Sequence, residues 1–479
     1  MTGPRASEAT TGSWDSADWL RSRAEESGAF VATDRWQRAR LVEILSEHAP
    51  PSASSRARLL ADPSCVAVVT GQQPAVGGGP LYTLVKSAHA IAIAQGLSDS
   101  GRTAVPVFWC ASEDHDAGEA DHADIIARDG TVRRFRGDIG DSRRSLRHRP
   151  AMPWWPGLID HCRSHLGPGA GSAFLEGFAP NPDEGMGAWL CRLIAALFAR
   201  HGLVCVEAHR LRPLWIDAMR SALERWPAEE LSTLRQRLLA GGASDAFGEL
   251  SEPTVFADRA DARTRLDRAA AIALASNDPS SLSPGAPLRP ILQQIALPAA
   301  ISVVGPGELA YHSFIAPLYA TLGAQPPVLV ARCSVVLVPP WIRRAAERWG
   351  IDAGDIRADS VAPTVPTDRN DLDDTLARLE EAIANLASTA EAHKDLQPTV
   401  DRLGRIAASF RNRVQRSRRR SAALPPFGPL VATLWPRAQP QERVMSLFQA
   451  IWQAGPGIAD QLVDAAARTP PGGAHALHF

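Results

Sequence analysis

CVAVVTGQQPAVGGGPLYTLVKSAHAI, residues 65–91, decides the fold. Cys65–Val69 is a short, wholly apolar run rich in β-branched residues, and such a run reads as a parallel strand buried on both faces. A turn with Gly71 and Gly77–Gly79 follows, Pro80 suits a first helical position, and Leu81–Gln95 continues as a helix. Glycines let backbone N–H groups approach a ligand, and a helix N-terminus carries the positive end of a dipole. Strand, glycine turn and helix together read as an anion-holding site, with Gly71, Gln72, Gln73, Gly79 and Pro80 as candidate binding residues. The stretch is not a P-loop, because no Gly-Lys-Ser/Thr follows the glycines, and it is not a GxGxxG fingerprint.

The helix adds side chains. Tyr82, Lys86 and His89 are spaced four and three, so they share one face of an otherwise apolar helix and read as a site wall. The chain has 51 Lys+Arg, yet lysine occurs only at Lys86 and Lys394. Arginine has a wide planar head and lysine a compact one, so a lysine kept here marks a place where arginine does not fit.

Working outward, Val105–Cys110, Leu203–Val206, Ala299–Val304 and Val328–Ala331 read as further strands, alternating with helices. That alternation predicts an α/β fold with a doubly wound parallel sheet, whose ligands bind beyond the carboxyl ends of the strands. The second strand ends in SEDHDAGEADH, which offers Glu113, Asp114, His115, Asp116 and His122 for acid–base work, substrate hydrogen bonding or metal ligation, although the spacing matches no established zinc motif. The fourth ends in GPGELAY, which offers Gly305, Gly307, Glu308 and Tyr311. The expected organisation is helices over 1–60, core over 61–135, 201–224 and 289–365, insertions over 136–200 and 225–288, a coiled coil over 366–420 and a helical segment over 421–479. Leu372, Leu376, Leu379, Ile383 and Leu386, then Val400, Leu403, Ala407, Phe410 and Val414, recur at steps of four and three. They predict an antiparallel hairpin with arms of ~30 Å, bent near 388–398. The tract Arg416–Arg420 reads as a solvated helix end.

Net charge is -1, which argues against a nucleic-acid partner. No apolar run has transmembrane length, and the first residues carry no apolar leader core, so a cytoplasmic protein is expected. The six cysteines form no CxxC pair and read as buried hydrophobes.

TGQQPAVGGGPLYTLVK, PVFWCASEDHDAGEADH and LPAAISVVGPGELAYHSFIAPLYATLG, with Gln441-Glu442-Arg443-Val444, resemble the cysteine-adding enzyme family of bacillithiol synthesis (BshC), in order from about residue 60 to 460. VGGGP at 76–80 and Glu207-Ala208-His209 depart from that pattern. The resemblance implies a Rossmann-like core related to class I aminoacyl-tRNA synthetases, two connecting-peptide insertions and a coiled coil that makes a homodimer. It also implies a ligase that joins L-cysteine to glucosaminyl-malate. A carboxylate must be activated before it forms an amide, so ATP with Mg²⁺ is a possible cosubstrate, without a tightly bound metal. Lys86 would then stabilise developing charge, while Asp114, His115 or Asp116 would take a proton or anchor cysteine's ammonium. Arg289 and Arg332 are candidates for the malate carboxylates. No HxGH and no KMSKS-like loop is present. The alternatives are a nucleotidylyl- or phosphoryl-transferring enzyme on another small acid, and a non-catalytic ligand-binding coiled-coil dimer.

Overall fold

The computed structural model describes residues 36–47, 51–140, 143–363, 369–390, 395–422 and 424–479. Its centre is a parallel sheet of β1 (Val66–Gln72), β2 (Ala104–Cys110), β3 (Val204–Glu207), β4 (Ala299–Val304) and β5 (Val328–Ala331), in the order β5-β4-β1-β2-β3. These are the five apolar runs of the sequence. β1 alternates its burial between two cores: Ala67 and Val69 pack with the helices Arg38–Ser46 and Arg212–Glu224, while Val66 and Val68 face the side of α1 (Tyr82–Asp99). Helices cover both faces, which is why the strands carry no polar alternation. Of the helices expected over 1–60, the described residues include Arg38–Ser46 and Pro51–Arg58, and residues 1–35 lie outside them.

Strand order reverses at β1. The chain runs outward through β2 and β3, then returns to lay β4 against the other edge of β1, with Thr70 opposite Val303 and its hydroxyl 2.9 Å from the Val303 carbonyl. The carboxyl ends of β1 and β4 therefore flank a topological switch point. Between β2 and β3 lie an antiparallel hairpin (His122–Ile126 with Val132–Arg136) and the helices Trp155–Leu166 and Met186–Leu197. Between β3 and β4 lie three short antiparallel strands and the helices Ala228–Ala240 and Arg268–Asn277.

The helices Arg369–Ala390 and Gln397–Ala422 pair with each other, and an ion pair joins Glu380 to Arg411. Only part of the heptad pattern is used between them. Leu376, Val400 and Ala407 are buried, whereas Leu379, Leu386, Leu403 and Phe410 stand exposed. The expected bend includes residues 391–394, outside the described residues. The segment after 424 carries helices between Gly428 and Arg468 and then a strand. Its strand Ala474–His478 pairs in parallel with Ser334–Val338, and the helix Leu447–Ala454 sits in the largest core.

Candidate active site

A cleft of about 600 Å³ opens at the switch point. Its floor is the end of β1, Val69–Gln72, and Gln73 just beyond it, with Trp109 from β2 and Ser302–Val304 from β4. Gly71 is glycine because a Cβ there would come within 2.7 Å of the Trp109 carbonyl oxygen. The glycine triplet serves another purpose. Gly77, Gly78 and Gly79 all have positive φ, and a Cβ on Gly78 would meet Leu447 at 2.8 Å. This turn receives the segment 445–447: Leu81 N–H donates to the Met445 carbonyl at 2.7 Å, and Leu447 N–H donates to the Gly79 carbonyl at 2.9 Å. Gly79 and Pro80 thus grip a distant part of the chain and lie outside the cleft wall.

Lys86 rises from α1 towards the end of β1. Its ammonium lies 2.7 Å from the Gly71 carbonyl and 2.6 Å from a Glu308 carboxylate oxygen, and it is 2% exposed. Glu308 sits in the first turn of α2 (Pro306–His312) and also accepts the Gly305 N–H at 2.6 Å. The pair therefore ties the β1 end to the β4 end. Tyr82 completes this wall, with its hydroxyl 3.2 Å from Gln72 Nε2. Burial, then the Glu308 charge, pushes its phenol above the ordinary value.

The opposite wall holds Asp114 and Arg289, 2.8 Å apart. Burial alone would raise the Asp114 carboxyl, but the charge and hydrogen bond of Arg289 and the His115 N–H carry it well below the usual carboxylate range. Arg289 Nε has no partner among the described residues. Arg332 stacks over the Tyr82 ring at 5.3 Å and is engaged by the buried Glu442 at 2.7 Å, which also accepts from Ser334 and the Val335 N–H. Arg443, beside Glu442, projects into the cleft as an exposed guanidinium.

Of the sequence candidates, Gly71, Gln72, Gln73, Tyr82, Lys86, Asp114, Arg289, Gly305, Gly307, Glu308, Tyr311 and Arg332 line this one cleft. Glu113, His115, Asp116 and His122 do not. Glu113 is buried in an ion network with Arg212, which in turn binds Asp258 at 2.7 Å. The His115 Nδ1 faces Arg263 at 3.0 Å, and burial and that charge depress its pKa. Asp116 caps the short helix Ala117–Ala120, and His122 pairs with Asp121 at 2.9 Å. Composition did not single out Arg443, Glu119, Trp109 or His312 as cleft residues. The block Gln441–Val444 was the available signal for Arg443, and Gln441 and Glu442, both fully buried, are what aim it.

The family model "Bacillithiol biosynthesis BshC, N-terminal Rossmann-like domain" matches residues 16–333. Curated relatives with the name "Putative cysteine ligase BshC" align along most of the chain. That of Koribacter versatilis is 28% identical over 90% of this chain and 88% of its own. That of Solibacter usitatus is 30% identical over 89% and 87%, and one from Thermus thermophilus 30% over 79% and 82%. With its parallel Rossmann-like sheet, and with the three blocks of sequence meeting at one cleft, the chain belongs to the BshC family of bacillithiol biosynthesis, a ligase family.

Proposed function

We propose that this protein joins the carboxyl of L-cysteine to the amine of glucosaminyl-malate, forming the amide that completes bacillithiol. The observation that carries this reading is the switch-point cleft, where a buried lysine, a paired carboxylate and an unengaged guanidinium converge. ATP with Mg²⁺ is the activating cosubstrate in this reading, converting cysteine's carboxyl into a mixed anhydride. Lys86 then offsets charge that develops on phosphate oxygens, exchanging its contact with Glu308 for one with the ligand. Asp114, held ionised, suits cysteine's ammonium. Arg443 and the unpartnered Nε of Arg289 suit the malyl carboxylates, because Arg332 is taken up by Glu442. Residues 136–200 and 225–288 read as the two connecting-peptide insertions, and the cytoplasm is the expected compartment.

The paired helices Arg369–Ala390 and Gln397–Ala422 read as a coiled coil that dimerises. Its second row, Leu379, Leu386, Leu403 and Phe410, is apolar and exposed, which suits the same row of a second copy. The experiment incubates the protein with glucosaminyl-malate, cysteine and MgATP, omitting each in turn, and follows the thiol product and AMP or ADP by mass spectrometry. The thiol is expected only when all are present. Nucleotide turnover without a cysteine requirement would instead identify a transferase acting on another acid.

A further inference from the structure

Amide formation, on the reading above, requires the attacking amine to lose a proton, and most groups lining the cleft are unfit to take it. Asp114 is held ionised by Arg289, far below the usual range. One Glu308 oxygen takes both the Lys86 ammonium and the Gly305 N–H, and keeps the N–H when Lys86 turns to a ligand, while Glu119 accepts from Gln73 at 2.8 Å. Tyr82 and Tyr311 keep their protons, because burial pushes both phenols up. The lysine and the arginines are already charged.

His312 remains. We propose that His312 accepts the proton of the attacking amine, with Glu308 placed to stabilise the imidazolium that results. His312 lies in the last turn of α2 and lines the cleft. Glu308 is four residues earlier on that helix, hence on the same face, and also lines the cleft. The imidazole is oriented by stacking: its ring lies 5.2 Å from that of Tyr311 at an interplanar angle of 15°, and Tyr311 is itself packed by Phe247 at 5.4 Å. Neither ring nitrogen is hydrogen-bonded among the described residues, so a lone pair is available. Burial lowers its pKa to about 4 and Glu308 acts in the opposite direction, so the ring is neutral at pH 7. The other charged groups around the cleft belong to other elements: Asp114 pairs with Arg289, Lys86 with Glu308 and Arg332 with Glu442, Glu119 accepts from Gln73, and Arg443 is exposed.

In the step, the amine lone pair forms the C–N bond to the carbonyl carbon of a cysteinyl mixed anhydride made with a nucleoside triphosphate. The C–O bond to the phosphate breaks and its electron pair leaves with the phosphate. Forming the C–N bond makes the nitrogen acidic, so its proton passes to a weakly basic imidazole and then to solvent.

The test compares wild type, His312→Gln and His312→Asn, with folding checked by circular dichroism. Each is assayed for the thiol product across pH 6–9 and for hydroxamate formed when hydroxylamine replaces glucosaminyl-malate. Hydroxylamine is unprotonated at neutral pH and attacks activated acyl groups unaided. The variants are expected to lose about 10²-fold in kcat for the thiol product at pH 7, to recover as pH rises, and to keep hydroxamate formation and the KM for cysteine. In a third variant, His312→Ala, which leaves room for a free ring, added imidazole is expected to restore part of the rate. Variants equal to wild type at every pH would overturn the assignment, and so would a parallel loss of hydroxamate. A wild type that makes hydroxamate but no thiol product would overturn the choice of acceptor substrate, and an inert wild type would overturn both readings.

Discussion

Lys86 reaches the Gly71 carbonyl and the Glu308 carboxylate with one ammonium from a fully enclosed position. A guanidinium is wider and planar, so Lys86→Arg is expected to fold less stably and to lose about 10²-fold in kcat/KM in the thiol-forming assay. Lys86→Met leaves Glu308 without its cation. The expected loss is about 3 kcal/mol by urea denaturation, partly recovered in Lys86→Met/Glu308→Gln. A double variant no more stable than the single one would show that the pair is not coupled. Asp114 makes a pH prediction. Its folded pKa is depressed, so its contribution is complete above the unfolded value near ~4 and is lost as pH falls through the folded value. Asp114→Asn is therefore expected to flatten the acid limb of the stability–pH curve below about pH 4, with little change in slope near neutrality. Lys86 was legible because its residue type is nearly absent elsewhere in the chain. Gly79 and Pro80 read as the same turn as Gly71, but their role depends on Leu447 and Ser446, which no local pattern connects to them.

At the scale of elements, the five central strands were legible because strands buried on both faces are written as unbroken apolar runs. The small antiparallel strands were not. Val132–Arg136 is VRRFR, a charged edge hairpin, and Arg263–Leu266 is RTRL, so neither carries a two-sided apolar signal. The helical stretch after β4 is divided into Pro306–His312, a short turn and Ala316–Thr321, with Pro317 opening the second piece. The glycine turn makes the test here. Gly78→Ala combines a φ of +82 with a Cβ 2.8 Å from Leu447. It is expected to cost about 2–4 kcal/mol and to lower kcat/KM as well, because displacing residues 445–447 also shifts Arg443, two residues before them. Gly78→Ala/Leu447→Ala should relieve the clash and leave the backbone strain. A stable, fully active Gly78→Ala would mean that the turn does not hold this segment.

For the whole molecule, the exposed row on the paired helices predicts assembly. The wild type is expected to sediment as a dimer. Leu386→Glu and Phe410→Glu, which change half-exposed positions, are expected to give folded monomers with a thermal midpoint near that of the wild type at low protein concentration. A wild type that sediments as a monomer at tens of micromolar would rule the assembly out. The heptad spacing was legible, but which of its two rows the hairpin would bury internally was not, since both are apolar and only the packed pair distinguishes them.

The grip of residues 441–447 on the glycine turn also bears on how the protein is made. Arg332 is synthesised 110 residues before Glu442, the carboxylate that neutralises it, and the hydroxyl of Ser334 and the N–H of Val335 wait for the same side chain. Until the ribosome delivers that segment, the nascent chain presents a buried cation without its counter-charge, a glycine turn without its filler and a half-walled cleft. Premature termination between residues 335 and 442 therefore yields a chain that holds all three early sequence blocks but lacks the carboxylate and the filler that complete the cleft, a natural substrate for chaperones and proteases.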